Sequence, residues 1–227
     1  MNKIYLIFLN VFGFILGAWG QNPGLVISEF YQNPGGIDSP FEYVELLATD
    51  EIDFTSTPYT VIVSNNGTAS TDGWVAGGSL TYAFEITTGS VSVGDVVYVG
   101  GTSMSPTGIK LREINTGTTD GDGGIGNSNS GGVFGNGGGN GDGIAVFSLP
   151  IASITSSTIP TDAIIYGSGI GGAEVGPTDG YEMPINEFYD GGKLSAADFV
   201  AIDADLTVAT GGVFDLVLEE FVEPRTF

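Results

Sequence analysis

Apolar residues in this chain recur at every second position, in runs of five to eight residues separated by Gly, Pro, Asn or Asp. Period two is the repeat of a strand with one buried face, whereas a helix would show a period near 3.6. The runs are Leu25–Tyr31, Phe41–Leu47, Tyr59–Ser64, Leu80–Thr87, Asp95–Gly100, Ile109–Asn115, Gly143–Leu149, Asp162–Tyr166 and Val213–Leu218. Many short strands with frequent turn signals predict an all-β fold, a sandwich or barrel. A helix of one or two turns is expected only at Ser195–Ile202, with Ser195 as its cap. No repeat at the period of a solenoid or propeller interrupts this pattern.

Two composition facts narrow the chemistry. The 227 residues contain no cysteine and no histidine, which excludes disulfides, thiolate metal sites, a Ser-His-Asp triad and imidazole ligands. They also carry 27 acidic residues against 5 basic ones, a net charge of −22. A field of that sign repels phosphate backbones, so no nucleic-acid partner is expected.

Residues 1–20 have the three parts of a secretory signal peptide: Lys3, the apolar run Ile4–Trp19, and small residues Ala18 and Gly20 before a cut at Gln21. At 16 residues, the run is short for a membrane span. Cleavage would remove Lys3, bring the net charge to −23 and leave no further span. Export without cysteine points to a bacterial exterior, either secreted or at the cell surface, with the periplasm as the alternative.

Within residues 117–143, 13 of 27 positions are glycine. Such a segment has little apolar area to order itself and is expected to be a long mobile loop. It also holds the candidate metal ligands. Asp120-Gly121-Asp122-Gly123 starts like a calcium loop, and hard cations prefer such oxygens. Position 12 of that loop is Gly131 where an EF-hand needs a glutamate. Residues 137–145, with Asp142, approach a single copy of a calcium β-helix repeat. Calcium at Asp120, Asp122 and Asp142 is therefore the one cofactor expectation.

Paired carboxylates are the one catalytic device this composition allows. Glu29, Glu42 and Glu45 would converge if their strands pair, as glycoside hydrolysis requires. Nothing in the sequence indicates a substrate cleft, so surface carboxylates and no enzymatic activity are expected. Simple alternation puts Glu29 on the face of Ile27 and Tyr31 and leaves a glutamate on either face of the second strand, and a bulge would restore the register. Trp74, in a turn-like setting, is either buried at a sandwich edge or exposed to stack on a sugar.

Ile27-Ser28-Glu29-Phe30, then Asn33-Pro34, Gly36 and Asp38, then Phe41-Glu42-Tyr43-Val44-Glu45-Leu46 resemble the opening of a lamin-tail domain. Members commonly begin with an Ile-Ser-Glu strand, an Asn-Pro turn with Gly and Asp, and a Glu-Tyr-Val-Glu-Leu strand. Val93–Val99, Gly141–Val146 and Asp162–Gly167 resemble later strands in the right order, over roughly residues 24–168. The resemblance implies an immunoglobulin-like β-sandwich with little chemistry of its own. Bacterial members often sit on secreted proteins as binding or spacer modules. The glycine-rich insert is longer than the family loop, and 169–227 continue past its usual end.

The expected organisation is a signal peptide at 1–20, a lamin-tail-like sandwich at 21–168 and a C-terminal extension at 169–227 that adds strands or binds a partner. The expected function is a non-enzymatic binding or assembly module of a bacterial envelope or exterior. Its partner would be a protein, a surface polymer or a second copy of the chain. The alternatives are a filament or matrix subunit built by strand addition through Val213–Val222, and a carbohydrate-binding module.

Overall fold

The structure is a computed structural model that describes residues 22–35, 41–64, 73–76, 81–114, 134–135, 142–166, 180–185, 208–209, 212–218 and 220–223. Residues 1–20, Asp120, Asp122 and the expected helix Ser195–Ile202 lie outside the described residues.

The period-two runs form strands, and the protein is all-β. In chain order these are β1 (Leu25–Tyr31), β2 (Tyr43–Ala48), β3 (Ile52–Asp53), β4 (Tyr59–Ser64), β5 (Thr81–Ile86), β6 (Ser90–Val91), β7 (Val96–Gly101), β8 (Ile109–Ile114), β9 (Asp142–Phe147), β10 (Asp162–Tyr166), β11 (Val208–Ala209), β12 (Val213–Asp215) and β13 (Glu220–Glu223). One sheet has the order β11-β1-β2-β7-β8 and the other β10-β9-β4-β5. All pairs are antiparallel except β7 with β8. Among the described residues, no helix is long and apolar enough to cross a membrane.

The two sheets face one another across one core. Ile27, Phe30, Val44 and Leu46 of the first sheet meet Val61, Phe84, Ile144 and Ile164 of the second. A bulge at Ser28 makes this alignment work. The β1–β2 ladder passes from Ile27 opposite Leu46 directly to Glu29 opposite Glu45. The extra residue places both Ile27 and Phe30 in the core and turns Glu29 outward, which strict alternation would not do. At the bulge the Ile27 backbone N–H donates to Asp162 Oδ2 at 2.7 Å, joining the sheets through a fully buried carboxylate.

The outsides of the two sheets differ. On the second sheet, Ile62, Ala83, Ala145, Phe147, Ala163 and Ile165 form a second apolar cluster with Trp74, Ile154 and Tyr181. This cover explains why all six residues of β4 are buried. Trp74 is buried, not exposed. Its Nε1–H donates to the Glu182 carbonyl at 2.7 Å, and its ring meets Tyr181 edge-on at 4.9 Å. Tyr181 and Met183 of the C-terminal extension therefore pack on the sandwich.

Two C-terminal elements differ from expectation. Val213–Leu218, read as one strand, stops at Asp215, whose Oδ1 accepts from the backbone N–H groups of Val217 and Leu218 at 2.7 and 3.0 Å. The chain turns there and pairs with its own β13. β11 adds two residues beside β1.

Candidate functional site

The outer face of the five-stranded sheet carries a row of tyrosines and glutamates. With the bulge in place, register sets Glu29 opposite Glu45 and Glu45 opposite Tyr98, while Tyr31 lies opposite Tyr43. The rings of Tyr31 and Tyr43 are 5.8 Å apart, as are those of Tyr43 and Tyr98. Tyr43 donates to Glu29 Oε1 at 2.8 Å. Ser28 and Tyr98 donate to Glu45 Oε1 and Oε2, each at 2.8 Å. Glu29, Tyr31, Glu45 and Tyr98 are half-buried and reach solvent.

Electrostatics follow from this crowding. Partial burial pushes the Glu29 carboxyl above its ordinary range, the Tyr43 hydroxyl opposes that, and the Glu45 charge adds to it. Burial, then the Glu45 hydrogen bond and charge, push the Tyr98 phenol up to about 12. The arrangement offers aromatic surface beside carboxylates, the side-chain types used to stack on and hydrogen-bond a sugar or to anchor a protein contact.

A second polar group lies inside the sandwich at one end. Gln32 and Glu42 follow the inward alternation of Phe30 and Val44, one step past the paired Tyr31 and Tyr43. From the other sheet come Asp142 and its register partner Tyr166. All four are buried. Burial first, and then the charges of Asp142 and Glu42, hold the Tyr166 phenol well above its ordinary value, with the nearby Gly135 backbone opposing the rise. Phe134 is fully buried in the core, and a Cβ on Gly135 would overlap the Asp142 carboxyl. The glycine-rich segment thus contributes two described residues to the packed interior, where the sequence led us to expect only a mobile loop.

The structure brings Glu29 and Glu45 together on the outer face and puts Glu42 on the opposite, inner face. Asp142 is an interior residue at the start of β9, and Asp120 and Asp122 lie outside the described residues. Among the described residues, no group of three or more acidic side chains is placed to hold a metal. Sequence reasoning missed Gln32, Ser28, Tyr98 and the Phe134–Gly135 contact. Extending the alternation two residues past Phe30 would have found Gln32. No local signal marks the others, because cross-strand register creates them.

Comparison of the chain with protein-family models, with curated proteins and with solved structures gives no match.

Proposed function

We propose that this chain is a secreted, non-enzymatic binding or assembly module of a bacterial cell envelope or exterior, built on a lamin-tail-like, immunoglobulin-like domain. The observation that carries the reading is the unequal covering of the two sheets. Apolar side chains and the segments around Trp74, Ile154 and Tyr181 close the outside of one sheet. The outside of the other keeps Tyr31, Tyr98, Glu29 and Glu45 in reach of solvent. Tyrosine supplies large contact area at low entropic cost, which suits it to recognition.

A binding role is favoured over hydrolysis because hydroxyl donors from Ser28 and Tyr98 take both oxygens of Glu45. The test is incubation of the full mature chain with a panel of envelope polysaccharides, following both retention and release of reducing ends. Retention without turnover is the expected result. Turnover by the wild type that Glu45→Gln abolishes would overturn it.

Self-assembly is the second reading. β8 ends the order of the five-stranded sheet among the described residues, so one of its edges can accept another strand. Size-exclusion chromatography at rising concentration tests it, and a strict monomer throughout counts against filaments.

A further inference from the structure

Gln32 is fully buried, and among the described residues neither its amide oxygen nor its amide nitrogen has a hydrogen-bond partner. A buried amide is costly when unmatched, so such a group marks a place where a partner belongs. Alternation fixes where it points. Phe30, two residues earlier, is in the core, and Tyr31 between them packs against Tyr43 on the outer face. Gln32 therefore projects between the sheets, beside Glu42, which follows the same alternation from Val44. Asp142 enters the same end from β9 in line with Ile144, directly across from Tyr166. The Phe30 and Tyr166 rings are 4.6 Å apart, which ties this end of β1 to β10.

We propose that Glu42, Asp142 and the amide oxygen of Gln32 bind one calcium ion inside the end of the sandwich, beneath Phe134–Gly135. The donors are all oxygens, the hard ligands that calcium and magnesium share. Calcium accepts irregular sets of six to eight oxygens, so nearby backbone carbonyls can complete its shell. Magnesium requires a near-ideal octahedron and holds on to its waters, which a fully buried end does not accommodate. Two carboxylates balance a divalent charge. Close contact between Gly135 and Asp142 makes Phe134–Gly135 part of the site's wall, so calcium would hold these two residues against the sandwich. This site is independent of the outer-face reading above and does not use Asp120 or Asp122.

The experiment uses the full mature chain, stripped with a chelator. Terbium, a luminescent stand-in for calcium, is titrated and read through tyrosine-sensitised emission, then displaced with calcium. Melting is followed with calcium and with magnesium. The expected result is one equivalent bound, emission that falls in Tyr166→Phe, and a saturable rise in Tm with calcium that magnesium does not reproduce. Glu42→Gln and Gln32→Met should each weaken calcium by about tenfold or more. Asp120→Asn combined with Asp122→Asn should leave it unchanged. Gln32→Met keeps size and removes only the polar atoms, so it decides the matter if Glu42→Gln fails to fold. The proposal is overturned by a wild type with no calcium-dependent emission or melting shift. It is equally overturned by unchanged affinity in a folded Gln32→Met, or by loss of binding in the Asp120, Asp122 double variant.

Discussion

Glu29 and Glu45 face each other across the β1–β2 ladder, and each is held by a hydroxyl. Like charges in direct cross-strand opposition destabilise a pair by roughly 0.2–1 kcal/mol. A glutamine at position 29 still accepts from Tyr43 and removes the repulsion. Glu29→Gln is therefore expected to raise stability by up to about 1 kcal/mol at neutral pH. The sign reverses the usual carboxylate case. The folded-state value of Glu29 lies above the ordinary 4.5, so the protonated form is the one the fold favours. Its penalty is present above the raised value and disappears as the pH falls toward 4.5. Urea unfolding of wild type and Glu29→Gln across that window should show the two curves converging on acidification. Asp162 is the opposite kind of residue. Its carboxylate accepts from the Ile27 N–H at the bulge, inside the core. Asp162→Ala is expected to cost about 1.5–3 kcal/mol, the range for a hydrogen bond to a charged group.

Among elements, the segment that covers the second sheet matters most. Trp74 anchors residues 180–185 through its ring contact with Tyr181 and its bond to the Glu182 carbonyl. Trp74→Ala should destabilise by about 3–5 kcal/mol, as for large aromatic truncations in cores. Trp74→Phe keeps most of the apolar area and loses the Nε1–H donor, at a cost of about 1–3 kcal/mol. Chemical unfolding followed by tyrosine fluorescence separates the two. The elements themselves were legible in the sequence wherever alternation was strong. β1, β4 and β10 begin and end where the pattern did, β8 differs by one residue at one end, and β2, β5, β7 and β9 differ by one or two residues at both ends. Two-residue strands such as β3 and β6 carry no period to read. β12 stops early because Asp215 caps a turn, and a capping carboxylate looks like any polar residue of an alternating run. The candidate sites were less legible. Glu29 with Glu45 needed the bulge at Ser28, and Asp142 with Glu42 needed two sheets stacked in a particular way. Sequence supplies the residues for both and the register for neither.

For the whole molecule, the acidic excess and the buried phenols set the useful pH range. Burial, with the Asp50 charge adding to it, holds the Tyr59 phenol at about 12 against an ordinary 10.0. Burial and Glu45 do the same for Tyr98. A raised phenol contributes stability that is complete below the unfolded value and is lost as pH climbs through the folded one. The protein should therefore lose stability between pH 10 and about 12. Tyr59→Phe should lose less of it over the same interval in a series of urea titrations. Added salt should raise Tm near neutral pH, since a charge of −22 repels itself and ions screen that repulsion.

The role proposed for the open face of the five-stranded sheet is recognition of an envelope component. Retention of the full mature chain on immobilised envelope polysaccharides and envelope proteins tests it most directly. Wild type is run beside Tyr31→Ala combined with Tyr98→Ala, and beside Trp74→Phe as a change on the covered face. The wild type and Trp74→Phe should be retained alike, and the tyrosine pair should lose about tenfold or more, as expected when aromatic anchors are removed. Equal retention of the tyrosine pair, or no retention of the wild type on any of these surfaces, would rule out recognition through this face.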